Sequence, residues 1–306
     1  MTSFMSSSDL SVMVFAHNNE STIQACLESI VTGGINQDEN IYVVINGSGD
    51  KTEELVLDLS KKHENIKPII LEFGDRANAW NYYIYEIANP DYHHVFIDGD
   101  ITISKNSLKI VKDVVSNNPS PLAFSTLPQN GRLQKYWTNY ILSKHAMFGN
   151  FYCLPSKTIK HIQDIPLLLP VGFLCDDDFI TWATLRDFKP REFEDGKLIH
   201  PIKNIGFFYD SFSLIKPSGI KSHIKRQFTY SKRNIQSILL KNTIMTHGYK
   251  SIPAHITKLY SCRKIIKCIF DKPSVSLLLF PFAAMSLCKN KNSNSMPDNE
   301  SAIRIK

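Results

Sequence analysis

Two acidic clusters hold the residues in this sequence best suited to chemistry: Asp98-Gly99-Asp100 and Asp176-Asp177-Asp178. The first sets two carboxylates on one turn, directly after the apolar run 95–97. Hard oxygen ligands of this kind suit Mg²⁺ or Mn²⁺, which take few protein carboxylates and complete their shells with water and phosphate oxygens. The turn therefore reads as a diphosphate anchor, although two Asp around a Gly also make an ordinary solvated turn. The second cluster lies between the apolar stretches 172–175 and 179–182. Three adjacent carboxylates repel one another, so at least one requires a raised pKa or a compensating partner. Acids also gather at helix N-termini. That placement is compatible with one Asp acting as general base towards an acceptor hydroxyl.

These clusters need a scaffold, and residues 11–100 supply its pattern: short apolar runs alternating with amphipathic stretches, as in consecutive βα units around a mostly parallel sheet. Strands are predicted at 11–15, 41–45, 68–71 and 95–97. Ser21 with Gln24 resembles a capping box opening a helix whose apolar face is Ile23, Cys26, Leu27 and Ile30. The turn 46–50 ends the second strand, and Asp50 with Glu53 repeats the capping signature. Ala77, Trp80, Ile84 and Ile87 mark a third helix. Such sheets bind ligands at the carboxyl ends of their strands, which is where the first acidic turn falls. His93 and His94 have no metal-binding partner at ligand spacing and read as structural. Trp137 and Tyr140 have the chemistry to stack on a sugar ring, with packing as the plainer account.

The chain of 306 residues is 43% hydrophobic and 21% charged, which places it among folded proteins and away from disorder. Its charge is uneven. Residues 1–215 carry 18 Lys and Arg against 26 Asp and Glu, whereas 216–272 carry 13 Lys and Arg against the single acid Asp271. An acidic body with a basic arm implies an anionic partner: nucleic acid, a lipid surface or substrate phosphate, with a solvated helical face as the bland alternative. The six cysteines form no C-x-x-C pair and read as free thiols. The polar N-terminus has no secretory pattern, so a reducing, cytoplasmic setting is expected. The uncharged run 273–288 has 16 residues with Pro281 inside it. A bilayer span needs roughly 20 residues, so this run is either a core helix or an interfacial segment at the inner membrane face.

The residues also resemble family 2 glycosyltransferases. Val14-Phe15-Ala16-His17-Asn18-Asn19-Glu20 is similar to that family's first-strand motif, with Phe15 and His17 in place of the usual Pro and Tyr. The stretch from Val43 to Thr52 resembles its second-strand signature, with Asn46 at the strand end. Gly74-Asp75-Arg76-Ala77-Asn78-Ala79-Trp80-Asn81 resembles the third, and Asp98-Gly99-Asp100 matches the metal-binding D-x-D. The resemblance implies a GT-A fold, an α/β architecture with a Rossmann-like, mostly parallel central sheet flanked by helices, here with a basic helical C-terminal extension. It implies Mg²⁺ or Mn²⁺ at Asp98 and Asp100, and donor contacts from Ala16, Asn18, Glu20, Asn46, Asp50, Arg76 and Asp98. The Asp176–Asp178 run resembles the family's acidic base motif. Asp177 is the first choice for the base, and Asp176 and Asp178 are alternatives. At Gln227 the processive Gln-x-x-Arg-Trp motif is not matched, because Tyr230 and Ser231 fall where Arg and Trp belong. Single addition follows, with Arg226 and Arg233 available to the leaving diphosphate.

The expected division is a GT-A catalytic domain at 1–215, a basic, membrane-associating extension at 216–288 and a disordered tail at 289–306. The expected activity is inverting transfer of a sugar from a UDP-, GDP- or dTDP-sugar to a saccharide or lipid-linked acceptor, in bacterial surface polysaccharide or glycolipid synthesis. Nucleic acid is not among the expected partners. Two alternatives stand beside this reading. One is a nucleotidyltransferase, although the loop 16–21 lacks the Gly and Lys such enzymes use. The other is an inactive glycan- or lipid-binding module.

Overall fold

The computed structural model describes residues 9–165, 167–210, 217–271, 280–289 and 303–304. The predicted βα series is present: β1 (Leu10–Ala16), α1 (Ile23–Val31), β2 (Ile41–Asn46), α2 (Thr52–Ser60), β3 (Ile66–Leu71), α3 (Arg76–Tyr82) and β4 (His93–Asp98). A π-helical turn, Tyr83–Ile87, extends α3. The strands pair in parallel in the order β4-β1-β2-β3. Helix α1 buries the predicted face of Ile23, Cys26, Leu27 and Ile30. Its predicted capping box does not form. No side chain caps α1, and Gln24 bonds Glu28 instead, because the Asn19 carbonyl already accepts from the amides of Thr22 and Ile23.

Beyond β4 the sheet changes character. The elements are β5 (Ile101–Ile103), α4 (Ser107–Asn117), β6 (Ala123–Pro128), α5 (Gln134–Lys144), β7 (Phe151–Leu154), α6 (Ser156–Asp164), α7 (Asp176–Thr184) and β8 (Ile199–Tyr209). Strand β7 runs antiparallel to β4 and β6, while β8 pairs in parallel with β6 and antiparallel with β5. The sheet is thus mixed, parallel across β4-β1-β2-β3 and largely antiparallel beyond β4. Alternation along β1 sends Val12, Val14 and Ala16 into one core and Met13 and Phe15 into the other, so helices cover both faces.

The basic arm forms α8 (Pro217–His247), followed by α9 (Cys262–Asp271) and α10 (Phe280–Lys289). Its apolar residues Ile235, Leu239, Leu240 and Ile244 are buried in the same core as Phe173, Phe179 and Trp182. Of the run 273–288, residues up to 279 lie outside the described residues, and the rest belongs to α10. Of the expected tail, Ile303–Arg304 form a two-residue strand, β9, paired with β3. Cys26, Cys153, Cys175, Cys262 and Cys288 are free. Among the described residues, no helix is long and apolar enough to cross a membrane.

The two histidines of β4 are buried. His94 Nε2 donates to the Asn89 carbonyl at 2.8 Å, and its Nδ1 accepts from the Tyr83 hydroxyl at 2.8 Å. Burial pushes its pKa down to about 4. Because the unfolded chain binds that proton near pH 6.5 and the folded one does not, stability should fall as pH drops from 6.5 to about 4, by about 3 kcal/mol. Urea titrations across this range should show the decline in the wild type and a flatter profile in His94→Gln. Leu240→Ala, which opens a cavity beneath α8, should cost about 2–5 kcal/mol in the same assay.

Candidate active site

The loops after β1, β2 and β4 and the start of α3 enclose a cleft of about 290 Å³, lined by Phe15, Ala16, His17, Asn19, Asn46, Gly74, Arg76 and the Asp98-Gly99-Asp100 turn. The turn must contain glycine. A Cβ at Gly99 would lie 2.9 Å from the Phe15 carbonyl oxygen and 3.0 Å from Asn19 Oδ1, because the β4 turn is packed onto the end of β1. Gly47, at φ +61°, likewise presses against Gly74, which brings the β2 loop onto the loop before α3. His17 donates from Nδ1 to the Asn46 carbonyl at 2.6 Å, and Asn46 Oδ1 accepts from the Asp75 amide at 2.8 Å. Asp75 then caps α3 through the Asn78 amide and reaches the Gly172 amide at 2.6 Å. Burial pushes the Asp75 carboxyl above the ordinary range despite these two amides.

Arg76 is the centre of the site. Its Nη1 meets Asp98 Oδ1 at 2.5 Å, its Nε meets Asp176 Oδ2 at 2.7 Å, and its Nη2 donates to the Gly149 carbonyl at 3.2 Å. The guanidinium lies 4.0 Å above the Phe15 ring, a stacking contact that adds to its anchoring. Asp98 Oδ2 accepts from Asn150 at 3.1 Å. Burial pushes the Asp98 carboxyl above the ordinary range; Arg76 pulls against this, and Asp100 and Asp176 add to it.

Every Asp of the second cluster has a cation. Asp176, 4% exposed, pairs with Arg76; Asp177 pairs with Arg233 of α8 at 2.6 Å; Asp178 pairs with Lys241 of α8 and accepts from Ser237 at 2.7 Å. Burial raises the Asp178 carboxyl, but Lys241 and Ser237 overcome this and hold it below the ordinary range. The repulsion inherent in the Asp triplet is therefore relieved from two directions, by the third crossover and by the basic arm.

The glycosyl transferase family 2 profile matches residues 11–167, just over half of the chain. The chain belongs to this family. Its fold is GT-A, like that of two solved structures with which it shares 12% identity. The mannosyltransferase PcManGT of Pyrobaculum calidifontis, in complex with GDP-Man and Mn²⁺, superposes with a TM-score of 0.54 over 94% of this chain and 88% of that one. TarS residues 1–349 of S. aureus, in complex with UDP-GlcNAc, superposes with a TM-score of 0.51 over 97% of each chain. No curated protein sequence matches the chain.

For this glycosyltransferase, the expected donor residues divide into two groups. Ala16, Asn46, Arg76 and Asp98 line the cleft. Asn18, Glu20 and Asp50 instead fasten the β1 and β2 loops together: Asn18 accepts from the Gly49 amide, Glu20 from the Lys51 amide, and Asp50 from the amides of Glu20 and Thr52. Arg233 stands at Asp177, while Arg226 lies over the Tyr230 ring one turn earlier on α8. Asn150, Gly149, Ser237 and Lys241 are not singled out by the sequence, and His17 and Asn19 enter there only as members of the first-strand motif. Only the excess of base over acid in the arm pointed towards Lys241, and nothing in sequence spacing pointed to Asn150.

The donor set also bears on a metal. Among the described residues there is no cluster of three His, Cys, Asp or Glu able to cage an ion. Asp100 is exposed beside Asp98 on the rim of the cleft. Two carboxylates on one turn fit a Mg²⁺ or Mn²⁺ that draws its other ligands from phosphate and water.

Removing the central guanidinium strands two carboxylates. Arg76→Ala should lower folding stability by about 3 kcal/mol. Arg76→Lys should recover only part of it, because one ammonium lacks the fork that spans both partners. Denaturant unfolding of the three proteins measures this, and a Lys variant as stable as wild type would contradict the bridging role.

Proposed function

We propose that this glycosyltransferase transfers a sugar from a nucleotide-diphosphate sugar to an acceptor hydroxyl with inversion at the anomeric carbon. The observation that carries the reading is the convergence on Arg76 of the Asp98-Gly99-Asp100 turn and the Asp176–Asp178 start of α7. In this scheme the cleft takes the donor, with Ala16 and Asn46 on its nucleotide side. Asp98 and Asp100 would hold Mg²⁺ or Mn²⁺, which supplies charge neutralisation for the leaving diphosphate. The Mn²⁺ and GDP-Man in the mannosyltransferase structure support a divalent metal and a nucleotide-sugar donor in this scheme.

Asp177 is the proposed base. It lies beside the Gly149 loop, where a Cβ on Gly149 would sit 3.1 Å from Asp177 Cβ and 3.2 Å from Arg76 Nη2. Arg233 donates to this carboxylate at 2.6 Å and orients it, so that it takes the acceptor proton as the anomeric carbon is attacked. Asp176 is buried under Arg76 and Asp178 turns to Lys241 and Ser237 of α8, whereas Asp177 lies beside Gly149 next to Arg76, which favours it among the three.

The catalytic unit in this reading includes the extension, since α8 brings Arg233 to Asp177. Arg226, about two turns earlier on the same helix, is assigned to the approach of the anionic donor. Helix α9 exposes Ile266 together with Arg263, Lys264 and Lys267, and α10 exposes Phe282 and Met285, a combination suited to an anionic membrane surface at the cytoplasmic face. A role in bacterial surface polysaccharide or glycolipid synthesis is consistent with it.

Nucleotide release from UDP-, GDP- and dTDP-sugars with Mn²⁺ tests the scheme. Asp100→Ala should abolish the metal response, and Asp177→Asn should slow transfer by about 100-fold or more. An Asp177→Asn enzyme of wild-type rate would move the base to another member of the triplet. Binding of nucleotide sugar with no turnover for any acceptor would favour an inactive module.

A further inference from the structure

Helix α5 turns a row of aromatic side chains outward next to the catalytic groups. Tyr136 is 58% exposed and Tyr140 41% exposed, an unusual fate for two large rings on one face of a single helix. Trp137 lies between them, its ring centroid 4.9 Å from Tyr136 and 5.9 Å from Tyr140, each pair edge to face. Edge-to-face packing fixes the rings while leaving aromatic faces available to another molecule.

The row is physically continuous with the site. Trp137 packs edge to face on Phe148 at 5.1 Å, and Phe148 leads into Gly149 and Asn150, which bond Arg76 and Asp98. Met147, on the same segment, donates its amide to Thr181 of α7, one turn beyond Asp177. Burial raises the Tyr140 phenol, and the charges of Asp178, Tyr136 and Glu194 add to this. The Phe148–Gly149 segment itself ends at a carboxylate, since a Cβ on Gly149 would lie 3.4 Å from Asp177 Oδ2. Exposed aromatic faces continuous with an acidic border at Asp177 are complementary to a sugar ring, which offers a face of C–H groups and a rim of hydroxyl donors. A lipid chain would need the apolar faces without that acidic border.

Resting on the glycosyltransferase reading, we propose that the Tyr136-Trp137-Tyr140 face of α5 is an acceptor subsite for a saccharide ring, so that the acceptor itself is a carbohydrate. The ring stacks on Tyr140 and Trp137 and presents a hydroxyl along the Phe148–Gly149 segment towards Asp177. Tyr140 is a specificity residue in this arrangement, and the proton transfer belongs to Asp177.

Saturation-transfer NMR on the full chain tests this with the methyl glycosides of glucose, galactose, mannose and N-acetylglucosamine as probes. At least one should bind the wild type, with its ring C–H protons receiving most of the saturation. Tyr140→Ala and the double variant with Tyr136→Ala should weaken it about tenfold. Tyr140→Phe, which keeps the ring, should stay within about threefold, and Phe193→Ala, an exposed aromatic elsewhere, should match the wild type. Thermal melting of each variant separates lost binding from lost folding. Equal binding by wild type and a folded Tyr140→Ala, or no glycoside binding by the wild type, overturns the subsite. Glycoside binding that follows this variant pattern, in a chain that never releases nucleotide, upholds the subsite while sinking the transferase reading.

Discussion

The fork of Arg76 is the contact on which the site depends. One guanidinium reaches the end of β4 through Asp98, the start of α7 through Asp176 and the β7-proximal loop through the Gly149 carbonyl. These segments are distant in sequence, two at the neighbouring strands β4 and β7 and one on helix α7. Their carboxylates would repel if brought together unaided. A planar cation with donors on several edges lets them approach, which an ammonium cannot do in the same way. The Phe15 ring beneath the guanidinium is itself placed by strand alternation along β1.

Charge balance extends from this centre into the arm. The triplet at the start of α7 places three negative charges where the helix dipole favours them, yet each also has a full cation opposite. Two of these cations come from α8, whose apolar face is anchored in the common core by Ile235, Leu239, Leu240 and Ile244. Packing therefore sets the position of the electrostatic partners: the helix is held by buried apolar contacts, and Arg233 and Lys241 are delivered by that docking. Part of the arm's excess positive charge is accounted for internally by these pairs.

The remaining geometry follows from close approach of loops. Asn18, Glu20 and Asp50 spend their side chains on backbone amides of neighbouring loops, and Gly47 and Gly99 allow contacts that a Cβ would block. The cleft is thus bounded by loops that hold one another, leaving Ala16, Asn46, Arg76 and the acidic turn facing it. A site built on preorganised carboxylates and donors needs this rigidity, because their value lies in being fixed before charge develops.

Sequence by itself determined the four parallel strands, the apolar face of α1, the acidic turn at the end of β4 and the family, because strand alternation, helical periodicity and ordered motifs are local properties. It also required that the Asp triplet have compensation, since repulsion between neighbours is visible in one dimension. Tertiary structure alone decided which cation answers which carboxylate. Arg76 and Asp176 are 100 positions apart, and Arg233 and Asp177 are 56. It also decided that Asn18, Glu20 and Asp50 fasten loops beside the cleft, that no capping box forms at Ser21, and that Tyr136 and Tyr140 face outward on a helix packed through Trp137 onto Phe148. Such pairings depend on where packed elements place side chains in three dimensions, and neither residue type nor spacing records that.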